Sequence, residues 1–176
     1  MKQKILHLND RQIFLIGMMG SGKTTIGQIL AEKLQLPFKD TDALIEDSEG
    51  LSIQEIFSTK GEEYFRSLEV NCLENILNSK SGQIVACGGG LPIIAGVMEQ
   101  MKRAGIVVFL ASDPELAYLR IQAQSNRPLL GQIESFSQLY NSRFQTYKNA
   151  NITCAANGTP DEVALLVLNA LTQFEF

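Results

Sequence analysis

The chain has 176 residues, 45% of them hydrophobic and 19% charged, with a formal net charge of -4. That length supports one sizeable core rather than two, and the acidic balance excludes broad nonspecific attraction to nucleic acid or an anionic membrane, so an anionic substrate must be held by locally placed arginines. Cys72, Cys87 and Cys154 lie far apart with no C-x-x-C spacing, and His7 is the one histidine; no apolar run approaches the ~18 residues of a membrane span, so a zinc site, a disulfide framework and a transmembrane helix are excluded and a cytoplasmic protein is expected.

Residues Met1 to Asp10 read as a polar leader that leaves His7 at the surface, remote from every phosphate-handling element. Ile13 to Ile16 then reads as a short buried strand and Ile26 to Leu34 as a helix. Between them, Gly17-Met18-Met19-Gly20-Ser21-Gly22-Lys23-Thr24, with Thr25 behind, fits G-x-x-x-x-G-K-[ST] in the strand, loop and helix context that a phosphate loop requires. The glycines let successive backbone N–H groups turn inward on an anion, and a helix beginning near Gly22 brings the positive end of its dipole to the same point. Gly20, Ser21, Gly22, Lys23, Thr24 and Thr25 are therefore the expected ATP contacts, Lys23 supplying charge to the β- and γ-phosphates and the Thr24 hydroxyl ligating Mg²⁺.

Leu36 to Asp40 resembles a second strand ending in acid, with Thr41, Asp42 and a helical pattern after it. Asp40 and Asp42 are two apart, so on an extended backbone they point the same way, on the rim where parallel sheets bind ligands. The alternative is that Asp42 caps the next helix. Ser52-Ile53-Gln54-Glu55 is a capping box opening a short helix to Thr59; Gly61 breaks it, and Glu62 to Asn78 forms a longer amphipathic helix. On that helix Arg66 is flanked by Glu62 and Glu69 at four- and three-residue spacing, which fits a solvated ion pair as well as a binding group.

Gln83 to Cys87 is a uniformly apolar third strand that runs into Gly88-Gly89-Gly90, either a flexible turn or a place where a ligand or the phosphate loop comes too close for a Cβ. Pro92 to Arg103 reads as helix and Gly105 to Leu110 as a fourth strand. Asp113-Pro114 starts a helix carrying Arg120. Ala123 to Ser135 loses periodicity, and a loop of that length is more often a lid than a connector. Arg127, fixed before Pro128, is the residue placed to fold over the phosphates. Ser135 to Lys148 is a helix with Arg143 and Tyr147, Asn151 to Cys154 is the last strand, and Thr159-Pro160-Asp161-Glu162 opens the closing helix. The alternation gives a three-layer α/β/α fold with a mainly parallel sheet of about five strands.

Taken together, the Gly17 to Thr24 loop, Asp40-Thr41-Asp42, Gly61 to Arg66 with Glu69, Gly88 to Gly90, Arg127-Pro128-Leu129-Leu130, and Arg143 with Tyr147 and Ala150 resemble the shikimate kinase family over nearly the full chain. The resemblance implies a P-loop kinase of one domain, 1–176, with an acceptor-binding helical segment at 41–78 and a mobile lid at 123–135. It implies ATP-dependent, Mg²⁺-assisted transfer of the γ-phosphoryl group to the 3-hydroxyl of shikimate. Residue by residue, it implies that Asp42 holds the hydroxyls and accepts the proton, and that Arg66 and Arg143 clamp the carboxylate over Gly88, Gly89 and Gly90. Asp40 would support Mg²⁺ beside Thr24, Lys23 and Arg127 would serve the transferring group, and Arg120 would lie on the adenine side. The expected partners are the small molecules ATP and shikimate, with no nucleic acid and no membrane, and the molecule is expected to act as a monomer. Where family members often carry a polar residue after the last strand, this chain has Ala155 and Ala156. Rival readings are a gluconate or nucleoside monophosphate kinase of the same fold, and a non-catalytic ATP-dependent interaction module.

Overall fold

A computed structural model describes residues 11–79, 81–124 and 133–174. Its centre is β1 (Gln12–Ile16), all five residues of which are buried. A strand apolar on both faces needs cover on both, and the alternation of side chains along β1 divides that cover in two. Ile13 and Leu15 face a layer formed by α1 (Lys23–Leu34) and α7 (Pro160–Gln173), through Ile26, Leu30 and Leu34 on one helix and Val163, Val167 and Leu171 on the other. Phe14 and Ile16 face the opposite layer, where α3 (Ile53–Leu77) contributes Leu73 and Ile76, α4 (Val97–Ala104) contributes Met98 and Met101, and α6 (Ile133–Tyr147) contributes Tyr147. Each fully buried Leu, Ile or Phe adds roughly 1.5–3 kcal/mol, so this two-sided burial is what fixes the register.

The other strands are β2 (Phe38–Asp40), β3 (Gln83–Ala86), β4 (Gly105–Ala111) and β5 (Ile152–Ala155), in the order β2-β3-β1-β4-β5 with every pairing parallel. The chain leaves β1 for one side of the sheet, returns through β3, and later builds the other side from β4. The carboxyl ends of β1 and β3 therefore lie together beside the point where the winding reverses, which is where open α/β sheets bind ligands. The remaining helices are α2 (Thr41–Glu49) and α5 (Pro114–Gln124).

Local chemistry accounts for most boundaries. The Ser52 and Thr159 capping boxes are both formed, and the Asp113 side chain accepts from Glu115 N–H at 2.8 Å. Gly61, at φ 83 and ψ 172, breaks α3 as expected. β2 begins at Phe38 rather than Leu36, although the Pro37 carbonyl already accepts from Ile84 N–H at 2.8 Å. The helix expected over Pro92 to Arg103 is corrected: Leu91–Ile93 is a single 3-10 turn and the α-helix runs Val97–Ala104. The cause is Gly96, whose φ of 81 cannot continue a right-handed helix and instead caps α4. The aperiodic stretch expected over 123–135 is shorter at both ends, because α5 reaches Gln124 and α6 starts at Ile133. Residues 125–132, with Arg127, and the leader with His7 lie outside the described residues. Among the described residues, no helix is long and apolar enough to cross a membrane.

Candidate active site

The loop after β1 curls over the N-terminus of α1, whose N-cap is Gly22 with no side-chain cap, so the first N–H groups of the helix remain available to an anion. Lys23 Nζ folds back onto the same loop and donates to the Gly17 and Met18 carbonyls, each at 3.0 Å. Burial pushes its pKa below the ordinary lysine value, opposed chiefly by the nearby Asp42 carboxylate. The Thr24 hydroxyl donates to Asp40 Oδ2 at 2.7 Å, and Ser21 Oγ is buried with no hydrogen-bond partner among the described residues.

Asp40 and Asp42 do not share an extended backbone, and that expectation is corrected. β2 stops at Asp40 and α2 begins at Thr41, so Asp42 stands in the first turn of a helix. The capping acid is Asp40: its Oδ1 accepts from Asp42 N–H at 3.0 Å and from Ala43 N–H at 3.5 Å. This frees the Asp42 side chain, one oxygen of which, Oδ1, is buried without a partner among the described residues. Burial raises the Asp42 pKa above the usual carboxylate value, Asp40 raises it further, and Lys23 opposes both.

Arg66 realises both of its readings. Its Nη2 meets Glu62 Oε1 at 2.8 Å and its Nη1 meets Glu69 Oε2, while the guanidinium also lines the cleft. The two acids differ: Glu62 is exposed, whereas the Glu69 side chain is 1% accessible and its second oxygen has no partner among the described residues. Glu69 was legible as a flanking charge at three-residue spacing from Arg66 and as part of the resembling set, but with no role of its own.

The three glycines make room mainly for side chains of this cluster. A Cβ on Gly88 would overlap Asp42 Oδ1 and lie 2.9 Å from Glu69 Oε1; one on Gly90 would overlap the Arg66 guanidinium. Gly88 N–H also donates to the buried Thr41 hydroxyl at 2.8 Å, which ties the start of α2 to the end of β3. Gly89 takes part as well, since Arg143 Nη1, the Gly17 carbonyl oxygen and the Tyr147 hydroxyl all lie 3.5–3.6 Å from where its Cβ would sit.

One cleft of about 740 Å³ takes in these groups. At one end stand Asp42, Arg66, Glu69, Gly89, Gly90 and Arg143, with Ile53, Phe57 and Phe65 as an apolar wall that the sequence reading passed over. Lys23, Thr24, Thr25 and Asp40 line it, and at the other end are Arg120, Ala156, Gly158, Pro160 and Val163. Arg120 grips main chain there: Nη1 donates to the Ala156 carbonyl at 3.0 Å and the Gly20 carbonyl at 3.5 Å, and Nη2 to the Gly158 carbonyl at 3.3 Å. Every expected site residue within the described residues thus lies on this cleft or, for Ser21 and Gly88, next to it.

Comparison with known proteins gives the same direction. The family model for shikimate kinase matches residues 19–172. A shikimate kinase of Sulfurihydrogenibium sp. (strain YO3AOP1) is 43% identical over 92% of this chain and 98% of its own. The structure of a shikimate kinase from Acinetobacter baumannii in complex with shikimate superposes with a TM-score of 0.86 at 35% identity, covering 96% of both chains. A gluconokinase from Sinorhizobium meliloti 1021, at 17% identity and a TM-score of 0.60, shares the fold alone. With the family model spanning most of its length and a relative this similar over nearly all of it, the chain belongs to the shikimate kinase family.

Proposed function

We propose that the protein transfers the γ-phosphoryl group of ATP to the 3-hydroxyl of shikimate, giving shikimate 3-phosphate, with Mg²⁺ as the accompanying cation. The observation that carries this reading is that a single cleft holds the phosphate loop at one part and, beside it, two arginines and the half-buried Asp42 carboxylate, whose buried Oδ1 has no partner among the described residues. A bidentate guanidinium suits a carboxylate, so two arginines near a hydroxyl-binding acid fit a small polyhydroxylated acid as acceptor.

Phosphoryl transfer through a loose transition state needs alignment and cations more than covalent help. Asp42, with its raised pKa, orients the acceptor hydroxyl and takes its proton as the bond to phosphorus forms. Lys23 leaves the loop carbonyls for the β- and γ-oxygens, and Ser21 offers its unused hydroxyl to the same phosphates. Arg66 and Arg143 hold the carboxylate over Gly88, Gly89 and Gly90, with Glu69 bracing Arg66 from below. Thr24 and Asp40 present oxygen donors 2.7 Å apart, a set that suits a hard cation keeping several waters, so they fit Mg²⁺. When bound, that ion neutralises charge on the β- and γ-phosphates. Arg120 stands at the adenine end, and Arg127, between the helices that end at Gln124 and begin at Ile133, is assigned to the transferring group. The segment 41–78 serves as the acceptor-binding part of one domain spanning 1–176. The net charge of -4 supports small-molecule partners rather than nucleic acid or an anionic membrane.

The test is ADP release from purified protein with ATP, Mg²⁺ and one of shikimate, gluconate, a nucleoside monophosphate or no acceptor. Turnover should depend on shikimate. Preference for gluconate would overturn the acceptor assignment, and equal turnover without any acceptor would identify an ATPase.

A further inference from the structure

Tyr147 stands where three parts of the site meet and has been given no role so far. It is the last residue of α6, fully buried, with its ring 5.2 Å from that of Phe109 in the core beneath the sheet. Ring packing alone would be served by phenylalanine. The hydroxyl does something else: it donates to the Gly89 carbonyl at 2.7 Å, across 58 residues of chain. Burial raises the phenol's pKa, and the guanidinium of Arg143, one turn earlier on the same helix, opposes the rise. Arg143 Nη1 and the Tyr147 oxygen lie 3.5 and 3.6 Å from the same point, the place a Gly89 Cβ would take, so the hydroxyl gives its proton to Gly89 and keeps its lone pairs for the guanidinium beside it.

That arrangement orients two groups at once. An arginine side chain has about 2 kcal/mol of rotamer freedom to lose on binding, and a hydrogen bond made in advance removes part of that loss. A trans peptide carries its carbonyl and the following N–H on opposite edges, so pinning the Gly89 carbonyl toward Tyr147 turns the Gly90 N–H to the other edge. The Gly17 carbonyl oxygen, which receives Lys23 Nζ, lies 3.5 Å from where a Gly89 Cβ would sit, so the same peptide also borders the phosphate loop.

We propose that the Tyr147 hydroxyl is a positioning group for the acceptor: it holds Arg143 and the Gly89 peptide as one hydrogen-bonded unit, so that the guanidinium meets the acceptor's carboxylate already placed. The proposal rests on the reading that Arg143 binds that carboxylate. It differs from a packing role in what it changes, because a looser core would disturb both substrates whereas a misplaced Arg143 disturbs one.

Tyr147→Phe keeps the ring and removes the hydroxyl. In steady-state kinetics on the full chain, the KM for shikimate should rise about tenfold, the scale of losing one hydrogen bond to a charged group, with kcat and the KM for ATP held within about twofold. An unchanged shikimate KM, or a parallel rise in the ATP KM, would overturn the proposal. A second measurement needs no acceptor: the side-chain N–H signals of Arg143 in nitrogen-15 NMR should be sharp in the parent protein and broadened in Tyr147→Phe. Identical signals in the two would also overturn it. Absence of shikimate turnover in the parent protein would instead sink the functional reading, and the NMR comparison would then decide alone whether the unit exists.

Discussion

At the phosphate end of the cleft, the groups that would face a ligand come largely from a continuous stretch of chain: the N–H groups at the start of α1, with Lys23, Ser21 and Thr24 beside them. At the end proposed for the acceptor they are side chains from three separate helices, Asp42 on α2, Arg66 and Glu69 on α3 and Arg143 on α6, packed over the backbone of the glycines after β3. The first end is held by main-chain geometry that most substitutions leave intact. The second is held by mutual contacts among buried or half-buried charges, where altering one group changes the surroundings of the rest. The lesson is that ATP binding should survive changes that destroy acceptor chemistry.

Asp42→Asn is the strongest way to break that contrast. Turnover should fall on the order of 10³-fold while ATP affinity, measured by calorimetry, stays close to that of the parent. The pKa of Asp42 is raised in the folded state, so ionising it costs stability that is absent below the unfolded pKa and complete above the folded one. At neutral pH the Asn variant should therefore melt no lower than the parent, and the parent's acid limb of kcat/KM should lie above the ordinary aspartate range. A variant that keeps its rate would remove Asp42 as the proton acceptor. A variant that loses ATP affinity in step with turnover would erase the distinction between the two ends.

Gly88→Ala sharpens it from the backbone side. The new methyl would overlap Asp42 Oδ1 and crowd Glu69 Oε1, so at least one carboxylate must move. Displacements near 1 Å cost about 100-fold in rate, and a loss of that order should fall on kcat/KM for shikimate with ATP binding spared. The smallest effect is expected from Thr159→Ala, which removes the capping box of α7 beside the nucleotide end. Stability should drop by about 1 kcal/mol, read in urea unfolding, with any change in KM confined to ATP because Pro160 and Val163 line that end alone. A selective loss of shikimate affinity here would contradict the division.

The same contrast explains what could be read before the fold was known. The phosphate loop was legible because its chemistry is local: strand, glycines, lysine and helix follow one another. The capping boxes at Ser52 and Thr159 were legible for the same reason. Asp40 and Asp42 were read as candidate site acids, but their geometry was misjudged, because nothing between them announces that α2 starts at Thr41. What settles the start there is partly a contact with Gly88, 47 residues away. Glu69 and Tyr147 went unassigned for a related reason. A buried acid looks like any surface acid until its burial is known, and a tyrosine at helical spacing looks like core. The glycine run was understood as a close approach, yet what approaches includes Asp42, Glu69 and Arg66, which only the folded chain brings there.

The resting place of Lys23 carries a consequence for how an incoming nucleotide is received. With its ammonium already resting on two carbonyls of its own turn, the lysine does not wait in bulk solvent for an anion. Arrival of a triphosphate exchanges one pair of oxygen acceptors for another, so little rehydration or reorientation accompanies capture. It follows that this cation also ties its own turn together through two carbonyls, so that loss of activity on removing it would mix missing charge with a loosened cradle.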